Sequence, residues 1–122
     1  MKEISNRFAL VQHEDIKETF LQDLKPYIPE VSPEFNCLSR VTFAQSVKEG
    51  QTRVWEQTFQ AVTSDPRIAE YDGKRFVIGI LLSDGSCILI GSPDQAPMLT
   101  VVPHGVSWEI SARFLSSKKA TW

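Results

Sequence analysis

From residue 40 onward, apolar and polar residues alternate along much of the chain, a period of two that is typical of β-strands. The alternation runs twice between residues 40 and 63, and "KEGQ" between the two runs is a turn signal. The residues with apolar side chains on one face are Val41, Phe43 and Val47 in the first run and Trp55, Phe59 and Ala61 in the second. We therefore predict a long β-hairpin with one polar face.

A second hairpin is predicted around Asp84 and Gly85. The segments "FVIGILL" and "CILIGS" on either side are apolar almost without interruption, and such strands are usually covered on both faces. Asp84 and Gly85 both accept a positive φ, so the sequence predicts a two-residue primed turn between the strands. This hairpin is the expected centre of the core.

The last part of the core is predicted to be two further strands. "PMLTVVPHG" reads as a short strand ending at Pro103, and "VSWEISARF" alternates in polarity. The alternation places five residues on one apolar face: Val106, Trp108, Ile110, Ala112 and Phe114. We expect this second strand to be amphipathic.

A short helix is expected at "SDPRIAEYDG", between the two hairpins. Ser64 or Asp65 suits the N-cap, Pro66 suits the first helical position, and Asp72 with Gly73 provides a stop. The segment is long enough for one or two turns.

The N-terminal third gives a less uniform pattern. Ile4, Phe8 and Leu10 occupy even positions, as in a strand, whereas residues 13–25 fit either a helix or an extended chain. Prolines then disfavour regular helix at Pro26, Pro29 and Pro33 and predict an irregular or extended arm.

Together these elements predict a mainly β fold in one domain over residues 1–122, with an N-terminal arm over 1–35 and a β core over 36–116. The expected architecture is an antiparallel sandwich or partly open barrel of about six or seven strands with one or two short helices.

Length and charge narrow the classes of partner. The chain has 122 residues and a net charge of −2, with no basic stripe, so nucleic acid is not expected as a direct ligand. No apolar run approaches the roughly 18 to 20 residues that cross a bilayer, and the first residues lack the apolar region of a signal peptide. We expect a cytoplasmic location and no membrane partner.

The sequence contains no recognisable catalytic constellation. The two cysteines, Cys37 and Cys87, are expected to be reduced and structural, and neither histidine, His13 or His104, is tied to them by a motif. A Gly-rich phosphate loop and a metal-ligand signature are both missing from the sequence. We therefore expect a protein without enzymatic activity, cofactor or metal.

Four segments give the chain a resemblance to known proteins: "TFAQSVKEGQTRVWEQTFQAV", "SDPRIAEYDGKRF", "VIGILLSDGSCILIGSPDQAP" and "SWEISARF". The chain resembles a family of small proteins encoded in prophage-like and mobile-element gene clusters of gut bacteria. The likeness covers about two-thirds of the chain and is carried by turn and strand residues. The chain departs from the family pattern at the tight "SDG" turn and in the short segment 97–106, and its first 35 residues lie outside the resemblance.

The resemblance implies a non-enzymatic virion component of the tail or the head–tail connection. Such a protein has itself as a partner, in a homo-oligomeric ring or tube, together with other virion proteins. Its location would be cytoplasmic during assembly and then the virion.

The hairpin tip and the proline arm are the candidate assembly segments. Their residues are Val47, Lys48, Glu49, Gly50, Gln51, Thr52, Pro26, Pro29 and Pro33. Exposed hairpins can add strands or contacts to the sheet of a neighbour. The alternative function is a small β-barrel binding module for nucleic acid or a small ligand.

Overall fold

The computed structural model describes residues 4–11, 32–38, 41–48, 54–91 and 95–116. They form two four-stranded antiparallel sheets, whose strand orders are β2-β1-β5-β6 in sheet A and β3-β4-β8-β7 in sheet B. The strands are β1 (Ile4–Val11), β2 (Glu34–Asn36), β3 (Thr42–Lys48), β4 (Val54–Thr63), β5 (Val77–Leu82), β6 (Cys87–Ile90), β7 (Thr100–His104) and β8 (Ser107–Ser116). The predicted mainly β, antiparallel sandwich is confirmed, with eight described strands instead of six or seven.

Aromatic side chains join the two sheets at the centre of the sandwich. Phe8 of β1 stacks on Phe35 of β2, with ring centroids 5.3 Å apart, and meets Phe59 of sheet B edge-on at 5.1 Å. All three rings are buried. The alternation of β1 explains this placement, because Phe8 and Leu10 point to the same side of the strand, into the core between the sheets.

The β5–β6 hairpin of sheet A is buried on both faces, as its apolar sequence predicts. Ile78, Ile80 and Ile90 belong to the core between the sheets, whereas Val77 and Leu89 belong to a second apolar cluster with Val11, Cys87 and Ala96. All four side chains of β6 are buried. A strand covered on both faces needs apolar residues at every position, which is why alternation is lost here.

The N-terminal strand belongs to this sheet. Residues 4–11 fall within the segment that the sequence analysis assigned to an arm, yet β1 lies between β2 and β5 and pairs with both. β2 is formed by residues 34–36, across the predicted boundary between arm and core. The strand predicted from Ile4, Phe8 and Leu10 is confirmed.

The predicted short helix is present as a 3-10 helix over Pro66–Tyr71. Asp65 is its N-cap, and the Asp65 carboxylate accepts a hydrogen bond from the backbone N–H of Arg67 at 3.0 Å. Ile68 is fully buried, so the helix closes one end of the core. Gly73 follows with a φ of 77°, a conformation that glycine adopts without strain.

The turn between β5 and β6 differs from the prediction. Beyond the Leu81–Cys87 pair, the N–H of Leu82 donates to the carbonyl of Ser86 at 2.8 Å, and the N–H of Gly85 donates to the carbonyl of Leu82 at 3.1 Å. The connection is therefore a turn through Ser83 and Asp84 followed by a left-handed Gly85, whose φ is 89°. The two-residue turn was wrong because the strand register, which the core sets, leaves three residues to be connected.

The two-residue turn is instead found between β7 and β8. His104 pairs with Ser107, and Gly105 between them has a φ of 65°. Val106 lies in this turn and is 95% exposed, so its predicted place on the apolar face of β8 is wrong. Ile110 and Ala112 of that face are buried and Trp108 and Phe114 are half-buried, as expected.

Candidate functional site

In the described part of the chain, each sheet ends in two edge strands, and a strand from another chain could pair at any of these four edges. The edges are β2 and β6 in sheet A and β3 and β7 in sheet B. The backbone N–H and C=O groups along a sheet edge are a template for pairing, so proteins usually cover or interrupt them. The described edges differ in how much of their backbone is covered or already hydrogen-bonded.

The β2 edge is closed by side chains from the end of β4 and the 3-10 helix. The carbonyl of Asn36 accepts a hydrogen bond from Thr63 Oγ1 at 2.7 Å, and the carbonyl of Glu34 accepts one from Arg67 Nη2 at 3.2 Å. Just beyond β2, the N–H of Leu38 donates to the carbonyl of Val62 at 2.8 Å. The outer carbonyls of this short strand are therefore already used.

Arg67 is held in place for this contact. Its guanidinium donates to both Asp65 carboxylate oxygens, at 2.7 and 3.1 Å, and lies over the Phe35 ring at 5.2 Å. The hydrogen bonds from Arg67 lower the pKa of the Asp65 carboxyl, although the pair lies at the surface. The geometry indicates a positioning role, because an exposed ion pair contributes little stability by itself.

The β7 edge is closed by the chain that follows the 3-10 helix. Gly73 N–H donates to the Leu99 carbonyl at 2.8 Å, and Leu99 N–H donates to the Lys74 carbonyl at 2.9 Å. Val101 N–H donates to Asp72 Oδ1 at 2.9 Å, and Pro103 has no N–H to offer. A strand from another chain would have to displace these bonds to pair here.

The β3 edge, defined here as the outer backbone edge of Thr42–Lys48, is longer and more regular. All seven residues of β3 pair with β4 in one continuous register, and the strand contains no proline. β6, the remaining edge strand, has four residues. Among the described edges, β3 therefore offers the longest regular template for a partner strand.

The side chains of β3 alternate as the sequence predicts. Thr42, Ala44 and Ser46 are exposed on the polar outer face of sheet B, and Phe43 and Gln45 are half-buried on the inner face. Val47, also on the inner face, is 41% exposed. The inner face thus carries partly exposed apolar surface out to the rim of the sandwich.

The structure describes three of the nine candidate assembly residues: Val47 and Lys48 in sheet B, and Pro33 just before β2 of sheet A. Val47 pairs with Trp55 and Lys48 with Val54 in sheet B, so the strands extend beyond the start of the turn expected at residues 48–51. Pro33 is half-buried, and its carbonyl accepts a hydrogen bond from Leu10 N–H of sheet A at 3.1 Å. Six candidates lie outside the described residues: Glu49, Gly50, Gln51, Thr52, Pro26 and Pro29.

The middle of the β3 edge, which consists of Ala44, Gln45 and Ser46, was not among the candidate segments predicted from the sequence. The regular alternation of "TFAQSVK", which contains no proline or glycine, does indicate an uninterrupted strand at these positions. What the sequence does not contain is the strand order, which makes β3 an edge.

The outer face of sheet B carries polar side chains bonded to one another. Gln60 Nε2 donates to Glu109 Oε1 at 2.7 Å, and the Arg113 guanidinium donates to the Glu56 carboxylate at 3.1 and 3.2 Å. An open concavity of about 460 Å³ lies on this face. These cross-strand contacts stabilise the sheet, and the Arg113–Glu56 ion pair balances two of its charges.

Neither cysteine lies in a site suited to nucleophilic chemistry. Cys37 and Cys87 are 7% and 3% exposed and carry free thiols. Burial raises the pKa of both thiols to about 11, so the reactive thiolate is rare at neutral pH. Among the described residues, no group of three or more His, Cys, Asp or Glu side chains is placed to hold a metal ion, and His104 is exposed at the end of β7.

We expect the double variant Cys37→Ala/Cys87→Ala to fold and to be about 1–3 kcal/mol less stable than the wild type at pH 7, because it loses buried contacts. Burial raises the folded-state pKa of both thiols from the ordinary 9.0 to about 11, and this difference contributes fully to the stability of the wild type below pH 9. That contribution is lost as the pH rises from 9 to 11, so the stability gap should narrow across this window. Urea unfolding at several pH values measures it, and a gap that stays constant would contradict the burial of the thiols.

No protein-family model matches the chain, and comparisons with curated proteins and with solved structures find no significant match. In the part of the chain that the structure describes, no helix is long and apolar enough to span a membrane.

Proposed function

We propose that this protein is a non-enzymatic structural subunit that self-assembles through the β3–β4 hairpin, with the β3 edge as the contact. The observation that carries the proposal is the contrast between edges. Contacts between described residues close β2 and β7, and β3 is the longest regular edge strand among the described edges. Strand addition to such an edge supplies main-chain hydrogen bonds to the partner.

The chemistry of the edge suits repeated, individually weak contacts. A partner strand would cover the exposed part of Val47 and the rim around Phe43, which adds apolar burial to the main-chain bonds. One strand pair buries less than the roughly 1,200–2,000 Å² of a stable interface. Several contacts per subunit, as in a ring or tube, would then be needed for tight assembly.

We further propose that the assembly is part of a phage or prophage-like particle, in the tail or the head–tail connection. The support is the resemblance to small proteins of prophage-like gene clusters. The segments that carry it correspond to the β3–β4 hairpin, the 3-10 helix, the β5–β6 hairpin and β8. Genes for a tail sheath, tape-measure or portal protein beside its own gene would support this role, and an operon without phage genes would count against it.

Multi-angle light scattering across a concentration series tests self-assembly. We expect the molar mass to rise with concentration to multiples of the 13.8 kDa chain mass. A mass of 13.8 kDa at every concentration would contradict the proposal. It would favour the second candidate, a small binding module, for which the 460 Å³ open concavity on sheet B is the supporting observation.

A tip exchange separates the β3 edge from the hairpin tip. Replacing residues 49–53 with Asn-Gly leaves the Lys48–Val54 pair and all the β3–β4 pairs in register, and Asn-Gly suits a two-residue hairpin turn. We expect a folded protein with nearly unchanged melting temperature that still forms oligomers, because the β3 edge is intact. Loss of oligomers in light scattering, with the fold retained, would move the contact to the tip.

A further inference from the structure

We infer that two copies of this chain join β3 to β3 in antiparallel orientation, with Gln45 on the two-fold axis, so that their B sheets form one continuous eight-stranded sheet. The inference rests on the proposed function, because it specifies the partner, the symmetry and the register of the β3 contact. It requires no ligand and no change in the described fold.

The partner follows from the edges that the described residues offer. A β3 strand from one copy finds the β7 edge of another occupied by Asp72 and Lys74, and the β2 edge occupied by Thr63 and Arg67. β6 provides only four residues. The β3 edge of a second copy matches the first in length, and pairing the same surface on both copies generates a closed two-fold dimer. A ring or tube would then be built from such dimers through further surfaces.

The register follows first from the two faces of the sheet. Antiparallel pairing of β3 with itself gives a continuous apolar face only if inward residues lie opposite inward residues. Registers that set Ala44 opposite Gln45 of the second copy would bring an outward side chain against an inward one. Only registers with a residue on the two-fold axis avoid this mismatch.

Among those registers, centring on Gln45 pairs all seven residues of β3. Phe43 then lies opposite Val47 of the second copy, and Ala44 lies opposite Ser46. Centring on Ala44 or Ser46 would shorten the ladder and remove the Phe43–Val47 pairs. Aromatic residues opposite β-branched ones are favourable cross-strand pairs, whereas an amide opposite Phe43 gains less.

Charge also agrees with this register. Lys48 is the one charged residue in the sequence of β3, and its opposite position is Thr42 of the second copy. No like charges are therefore brought opposite each other along the seven pairs, and like charges directly opposite would be destabilising. The two Gln45 residues on the axis bring two amides together, each able to donate and accept hydrogen bonds.

Single-cysteine variants test the register by disulfide formation under mild oxidation. Gln45→Cys should cross-link with itself, because directly opposite residues have Cα atoms within disulfide range. Ala44→Cys and Ser46→Cys should cross-link when mixed, at a rate at least about tenfold above either variant alone, because the self-pairs are diagonal and about 7–8 Å apart. Cys37 and Cys87 can be retained in every variant, because burial keeps their thiols protonated and slow to form disulfides.

The outcomes separate this inference from the proposed function. Oligomers in light scattering without any of these cross-links would overturn the two-fold β3 pairing and leave self-assembly standing. Fast cross-linking of Ala44→Cys with itself would overturn the register. Monomers at every concentration would overturn both. If Gln45→Cys fails to fold, the mixture of Ala44→Cys and Ser46→Cys, which changes exposed positions only, still decides the register.

Discussion

Replacing Phe8 with alanine is expected to lower the free energy of unfolding by about 3–5 kcal/mol, the range for a fully buried aromatic side chain. Phe8 has no exposed surface and contacts the rings of Phe35 and Phe59, so its removal opens a cavity where the sheets meet. A domain of this size is usually stable by about 5–15 kcal/mol, so the variant would approach the threshold of folding.

Urea unfolding followed by circular dichroism measures this loss. Phe8→Leu is the matched control, because it keeps an apolar side chain in the same place and should lose much less stability. Phe114→Ala is a second control, since the Phe114 side chain is only half-buried. A loss below about 1 kcal/mol for Phe8→Ala would contradict the description of the core.

Most strands could be predicted from the sequence because burial imposes a simple pattern on them. In β4 and β8 one face meets the core and the other meets water, so polarity alternates. In β5 and β6 both faces are covered, so the residues are apolar throughout. β2 has three residues and is held by tertiary contacts, so it has no pattern to find.

Turns and edges were harder to predict because they depend on the register and order of distant strands. The β5–β6 turn follows from the pairing of Leu81 with Cys87, and nothing in "SDG" specifies that pairing. β3 is an edge strand because β8, which lies far along the chain, pairs with the other side of β4. The sequence therefore predicts the β3–β4 hairpin, but only the folded sheet shows that β3, the strand of the proposed contact, lies at the edge.

The second large effect is expected from charges placed on the β3 edge. In the two-fold register, Ala44→Lys/Ser46→Lys sets lysines opposite each other at two symmetric positions. Repulsion at both pairs, at about 0.2–1 kcal/mol each, should weaken the dimer about tenfold. Both positions are exposed on the outer face, so the fold and its melting temperature should change little.

The most direct test of self-assembly through β3 compares this variant with Ala44→Glu/Ser46→Lys. The two proteins share the lysine at position 46 and differ only in the sign of the charge at position 44, which is opposite position 46 of the second copy. We predict that light scattering at low salt shows weaker association for the Lys/Lys protein and restored or tighter association for the Glu/Lys protein. The difference should shrink at high salt, where surface charges are screened. Equal association constants for two folded variants would contradict the account.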